Sequence, residues 1–175
     1  MDQPRSPEVA AELVSRAAED QRVRLTPLDQ WNEETTAALR AVDSANTSAL
    51  KQIIAEQGWP GIRLVGREAA AAAWLLAQHA DADVDFQEHA RDLLAQAVDA
   101  GDAEAQHLAY LTDRCLTGRG QPQVYGTQYI DNGDGTGLRP QPIADPDRLD
   151  ARRAAVGLEP HADYDARMRS PDTGR

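Results

Sequence analysis

The residues of this chain best suited to chemistry sit where apolar ones belong. Helical residues advance by about 100° each, so with Val9 at zero, Leu13 falls near 40° and Ala17 near 80°. On the same arithmetic Asp20 falls near 20° and Arg24 near 60°, inside the apolar stripe, with Gln21 beside them. Turned outward, Asp20 and Arg24 would be an ordinary helix ion pair worth a few tenths of a kcal/mol. A second segment repeats the pattern. Asp43 and Asn46 project onto the face of Leu50, Ile53 and Ile54, although Asp43 and Ser44 also suit a helix N-cap. A third stripe runs from Ala72, Leu75 and Leu76 straight into His79. A lone His on such a face is as a rule a satisfied core residue. Three inward polar stripes together weigh more, because an unpaired buried charge costs several kcal/mol and such groups face one another or a cavity. A His held among carboxylates in one shared site has the pKa environment that general acid–base work requires.

Other signals are weaker. Tyr125-Gly126-Thr127-Gln128 sets a phenol, a hydroxyl and an amide around a Gly on an expected strand, where Gly marks a bulge or a close backbone approach. Strand alternation would send Tyr125 and Thr127 one way and Gln128 the other. Asp83, Asp85, Glu88 and His89 invite a metal reading, as does the four-residue step from His79 to Asp83. The stretch is acidic throughout, however, and reads as a solvated face. Asp131 and Asp134 resemble part of a calcium loop that lacks its later Glu. No metal or cofactor is therefore expected. Neither a phosphate loop, a dinucleotide fingerprint nor a nucleophile elbow occurs. The lone Cys115 lies in a helical pattern and reads as a small core residue.

The elements that must position these groups are mostly helices. Pro7 opens one that runs to about Arg24, and a short one covers Asn32 to Val42. Ser44 then caps another that ends at Gly58. Trp59-Pro60-Gly61 is a turn. Glu68 to His79 is almost wholly Ala, Trp and Leu, which predicts a helix buried on most sides. Further helices are expected from Asp85 to Ala100, with Gly101 as its stop, and from an Asp102 cap to Gly118. Val124 to Ile130 and Leu138 to Ile143 have strand preference around a turn-rich loop. Two short helices, about Leu149 to Val156 and Ala162 to Met168, follow. The expected fold is mainly α: a compact Ala-rich helical bundle over residues 1–169, with one β-hairpin near residues 123–143, a short C-terminal helical segment, and a disordered tail at 170–175.

The composition supports this architecture. The 175 residues include 31 Ala but only 31 Leu, Ile, Val and Phe together, about 18 % of the chain. That fraction borders on the disordered class. Helical periodicity resolves the question, since small Ala side chains let helices approach closely, with the three Trp and the Leu pairs supplying bulk. Lys and Arg number 18 against 29 Asp and Glu, a net charge of −11, which argues against a nucleic-acid partner. No run is long and apolar enough for a membrane span or a signal peptide, so a cytoplasmic protein is expected. With 17 Arg and one Lys, the basic residues point to a GC-rich bacterial genome.

Several ordered motifs carry a resemblance over about residues 10–168. They are Asp20-Gln21-x-x-Arg24, Gly58-Trp59-Pro60, Gln78-His79-Ala80-Asp81 and Tyr110-Leu111-Thr112-Asp113-Arg114. Gln123-x-Tyr125-Gly126-Thr127-Gln128, Asp150-x-Arg152-Arg153 and Gly157-Leu158 follow. The set resembles a bacterial family of unknown function common in actinomycetes. The resemblance implies membership and brings no activity with it. It adds Gln78, Asp113, Arg114 and Gln123 to the candidate residues.

The functional expectation is a small cofactor-independent acid–base enzyme. His79 would be the acid/base, oriented by Asp20 or Asp113, with Tyr125 donating to a developing charge. Arg24 and Arg114 would hold an anionic group, and Gln21, Gln78, Gln123, Thr127 and Gln128 would contact substrate. Proton-transfer reactions suit this set: epimerisation, isomerisation, elimination or hydrolysis, on a peptide or small carboxylate that matches the Arg fork. The alternative is a non-catalytic binding or regulatory module whose inward polar residues form a structural network.

Overall fold

The computed structural model describes residues 4–133 and 137–170, the side chain of Leu28 apart. It is mainly α, with seven α-helices and one two-stranded antiparallel sheet among the described residues. The chain divides into two compact units, one up to Glu104 and one from Ala105 onward.

The first unit holds α1 (Pro7–Arg24), α2 (Glu33–Gln57), α3 (Ile62–Gln78) and α4 (Val84–Asp99). Pro7 starts α1, where its missing N–H is no loss. Asn32 caps α2 by accepting from the amides of Glu34 (2.8 Å) and Thr35 (3.0 Å), and the Thr35 hydroxyl accepts from the Asn32 amide in return. Helix α3 packs most extensively on α1, and also on α2 and α4. Its Ala69, Ala70, Ala72, Ala73 and Ala77 are buried, which lets the backbones come close. Leu13, Leu50, Leu76 and Leu94 are essentially inaccessible and supply the bulk, each worth about 1.5–3 kcal/mol of burial. The Trp residues contribute less than expected: Trp31 is exposed, and Trp59 and Trp74 are half-buried.

Three expectations for this unit need correction. Residues 33–57 form one continuous helix, not two. Ser44 is no cap; its carbonyl accepts from the Ser48 hydroxyl one turn on, at 2.9 Å. Helix α3 begins earlier than Glu68, as a turn from Ile62 that kinks at Gly66 (φ 82°, ψ 164°), a conformation that favours Gly. Asp102 does not cap the following helix. Its carbonyl accepts from the Ile62 amide (2.9 Å) and its carboxylate from the Arg63 amide (2.7 Å), so it caps α3 from 39 residues away. Gly61 makes room for it, because a Cβ there would overlap the carboxylate. Gly101 (φ 65°) ends α4 as expected, with the Asp102 amide bonded to the Ala97 carbonyl at 2.8 Å in a Schellman closure.

The second unit holds α5 (Ala105–Gly118), β1 (Tyr129–Asp131), β2 (Leu138–Pro140), α6 (Leu149–Ala155) and α7 (His161–Met168). Ile130 pairs with Arg139 at the centre of the antiparallel ladder. Helix α7 packs on α6 and on β2. Cys115 is buried in α5 beside the fully buried Leu111, as expected of a core residue. The strands are shorter than predicted. Residues 124–128 form a loop rather than a strand, and Gln123 makes an isolated parallel bridge to Ile143. Strand alternation therefore does not govern Tyr125, Thr127 and Gln128. The expected disordered tail lies, from residue 171, outside the described residues, as does Asp134 of the turn.

Candidate functional site

In the first unit, α1, α2 and the end of α3 bring four charged or titratable groups together. Asp20 is wholly buried. His79 is the C-cap residue of α3, and its Nδ1 lies 3.0 Å from each Asp20 carboxylate oxygen. Gln21 Nε2 donates to Asp20 Oδ2 at 2.9 Å, and Arg24 Nε donates to Oδ1 at 3.2 Å. A terminal nitrogen of the same guanidinium donates to Asp43 Oδ1 at 2.5 Å. The result is a continuous chain, His79–Asp20–Arg24–Asp43, contributed by three helices. The inward-facing placement of Asp20, Arg24, Asp43 and His79 is the one that the 100° arithmetic projects. Asn46 is likewise buried.

The chain fixes the protonation chemistry. An ionised carboxylate only accepts hydrogen bonds, so the proton on a neutral His79 belongs on Nδ1, and Nε2 keeps its lone pair. That tautomer is assigned from the hydrogen-bond network. Burial pushes the Asp20 carboxyl up, but the hydrogen bond and charge of His79, then Gln21 and Arg24, outweigh it and hold Asp20 below its ordinary value. Asp43 goes the other way: burial outweighs the Arg24 guanidinium and raises it. The two carboxylates at the ends of the Arg24 guanidinium are thus shifted in opposite directions, Asp20 down and Asp43 up.

His79 and Asp43 border a cavity of about 260 Å³ whose other lining residues are mostly polar. Helix α2 supplies Arg40, Ser44, Thr47, Ser48 and Lys51, and the α3–α4 connection supplies Ala80, Ala82 and Asp83. Lys51 ion-pairs with Asp83 and stands over the Phe86 ring, 5.2 Å from its centroid. His79 Nε2 has no hydrogen-bond partner among the described residues. A larger cavity, about 600 Å³, lies between α1 and α3 and is lined mainly by Ala, Val and Gly, without a His. Gln78 does not border the His79 cavity; its carbonyl accepts from the Gln87 amide at 3.2 Å, while its own buried Oε1 has no partner among the described residues. No three His, Cys, Asp or Glu side chains converge as metal donors among the described residues.

The remaining candidates belong to the second unit, where they hold a loop in place. Asp113, wholly buried on α5, accepts from the amides of Val124 (2.7 Å), Tyr125 (3.0 Å) and Thr127 (3.0 Å) and from the Thr127 hydroxyl (2.9 Å). Its acceptor capacity is spent on residues 124–127. Of the two carboxylates considered for orienting His79, Asp20 is the one that makes the contact. Gln123, also fully buried, donates to the carbonyls of Gln128 (3.0 Å) and Gln141 (2.9 Å) and accepts from the Gln128 amide (2.8 Å). Gln128 in turn donates to the Thr127 hydroxyl (3.0 Å) and accepts from Arg114 (3.2 Å). The Tyr125 carbonyl accepts from Arg153 at 2.6 Å, and Arg153 is buried with its guanidinium 5.0 Å from the Tyr164 ring centroid. The Tyr125 phenol has no hydrogen-bond partner among the described residues.

Sequence reasoning missed two groups. One is the cavity wall of α2. The other is Tyr129, whose hydroxyl donates to Asp165 (2.9 Å) and lies 3.3 Å from His161 Nε2. Burial and the Asp165 carboxylate push the Tyr129 hydroxyl up, out of reach of physiological titration. The i,i+4 spacing of His161 and Asp165 was the available signal.

The model of a family of unknown function (DUF6624) matches residues 7–171. No curated protein and no solved structure matches the chain. Among the described residues no helix is long and apolar enough to cross a membrane.

Proposed function

The chain belongs to this family of unknown function, and we propose that it is a cofactor-independent acid–base enzyme whose base is Nε2 of His79. The observation that carries the reading is the 3.0 Å contact between Nδ1 and a wholly buried Asp20, on a ring that borders a polar cavity with its second nitrogen unpartnered. Asp20 orients the ring and stabilises the imidazolium that forms when Nε2 takes a proton. Asp43 borders the same cavity with its carboxylate held by Arg24, and the imidazolium itself can return the proton. Arg24 holds both carboxylates in register. The substrate class is a peptide or small carboxylate, and the reaction an epimerisation, isomerisation, elimination or hydrolysis. Asp113, Gln123, Thr127 and Gln128 are read as support for their own loop. The proposal includes a cytoplasmic bacterial setting, in keeping with a lone buried thiol and a composition rich in Ala, Arg and Asp.

The test is isotope exchange. Wild type, His79→Gln and Asp20→Asn are incubated in D2O with pools of dipeptides and small hydroxy- and amino-carboxylates, and products are read by mass spectrometry. Wild type incorporates deuterium at carbon or cleaves a pool member. His79→Gln lowers the rate by about 10²–10⁴-fold, the range expected for loss of a general base. Wild type and His79→Gln acting alike would refute the assignment.

The alternative, a non-catalytic binding or regulatory module, draws support from the Asp113 network, a fully satisfied structural core. If the His79 chain were of the same kind, His79→Gln would destabilise the protein by several kcal/mol. A melting temperature close to wild type favours the enzyme reading.

A further inference from the structure

The charges around the His79 cavity pair off with one exception. Asp43 is bound by Arg24, and Asp83 by Lys51. Arg40, exposed at the cavity rim, has neither an acidic nor a hydrogen-bonding partner among the described residues. In a chain with a net charge of −11, an unmatched guanidinium beside a candidate base stands out. Arg40, Ser44, Thr47 and Lys51 also follow the i, i+4, i+7, i+11 pattern, within about 60° of one another around α2. They form one stripe along the cavity. The Ser44 and Thr47 hydroxyls have no hydrogen-bond partners among the described residues, so two donors stand ready between the cations. Each hydroxyl can donate to an anion or accept from a ligand hydroxyl or amide.

We infer that this α2 stripe is the ligand-recognition wall of the site, and that it takes a small ligand bearing an oxyanion, carboxylate or phosphate, at Arg40, with polar groups along Ser44 and Thr47. The guanidinium fork matches two oxygens of either anion. Lys51, ion-paired with Asp83, marks the far end of the stripe, and with Asp43 and Asp83 already paired the ligand's anion is the partner left for Arg40. This inference rests on the reading of the cavity as the reactive site, and it adds the binding half of that site. None of the four residues belongs to the His79–Asp20–Arg24–Asp43 chain.

Binding is measured on the ¹⁵N-labelled full chain by amide chemical-shift titration at constant ionic strength. The probes are succinate, inorganic phosphate and, as the uncharged control, succinamide. Succinate or phosphate shifts the amides of Arg40, Ser44, Thr47 and His79 with millimolar affinity, and the stronger of the two identifies the anion; succinamide leaves them in place. Arg40→Gln weakens that anion by about tenfold or more, and Arg40→Lys by less, because a point charge replaces a fork. Arg40 is exposed, so neither variant disturbs the core. Equal affinity in wild type and Arg40→Gln, or no shift of these amides by either anion, overturns the inference. The binding readout is independent of turnover. Anion binding without isotope exchange would refute the enzyme reading and leave the recognition wall standing. Isotope exchange that Arg40→Gln does not alter would do the reverse.

Discussion

Asp113→Asn removes one charge and replaces one carboxylate oxygen by an amide NH₂, with almost no change in volume. The wild-type carboxylate accepts the amides of Val124 and Tyr125 on one oxygen and the amide and hydroxyl of Thr127 on the other. Asn can accept on one side only, so its NH₂ confronts two donors. Two hydrogen bonds to a charged acceptor are lost, at about 1.5–3 kcal/mol each, which gives about 3–6 kcal/mol. The Thr127 hydroxyl can rotate and accept from the new NH₂, which recovers about 1 kcal/mol. The expected loss is therefore about 2–5 kcal/mol, a large part of the roughly 5–15 kcal/mol that holds most domains together. Urea unfolding followed by circular dichroism reads the total, and native-state hydrogen exchange at the amides of Val124, Tyr125 and Thr127 reads it locally. Those three amides should lose protection ahead of the rest of the second unit. A loss under about 1 kcal/mol with all three still protected would refute the view that Asp113 holds this loop.

Other expectations follow from the same structure. Burial lowers His107 below its ordinary 6.5, and burial with the Arg153 charge does so for His161. The unfolded chain therefore binds these protons more readily, so their contribution is fully present above pH 6.5 and is lost as pH falls through the lower folded values. Asp20 is held below 3.8, so its contribution is present above that value and is lost as pH falls through its folded value; Asp43, raised, acts in the opposite sense. Urea midpoints measured from pH 8 to pH 4 should fall once pH drops below 6.5, and His107→Gln should flatten that fall. Gly126→Ala places a Cβ at φ +70°, 2.7 Å from His161 Cδ2, and should cost about 2 kcal/mol or more by urea unfolding.

Much of the first unit was legible from periodicity, because Asp20, Arg24 and His79 lie on stripes that carry the buried Val9, Leu13, Ala72 and Leu76. The break expected near Ser44 did not occur. Asp43 and Ser44 are residue types that cap helices, yet here Asp43 meets Arg24 from another helix and Ser44 stays within a continuous ladder. Sequence spacing alone cannot see such a partner. Asp102 shows the same limit, since it caps a helix 39 residues away instead of the one that follows it. The 124–128 loop was misread because Val124, Tyr125 and Thr127 favour strands. Their amides are satisfied by one buried side chain, Asp113, in place of a neighbouring strand. The cavity wall of α2 escaped notice because Arg40, Thr47 and Lys51 lie on no apolar stripe and Ser44 reads as a cap, so only the position of His79 in the fold marks them.

The central claim is that His79 is held by Asp20 with Nε2 left as the base. Long-range ¹H–¹⁵N NMR of the neutral side chain tests it most directly. The proton should reside on Nδ1 in wild type, with Nε2 bare, and Asp20→Asn should mix the two tautomers. A wild-type His79 that carries its proton on Nε2 would contradict the claim.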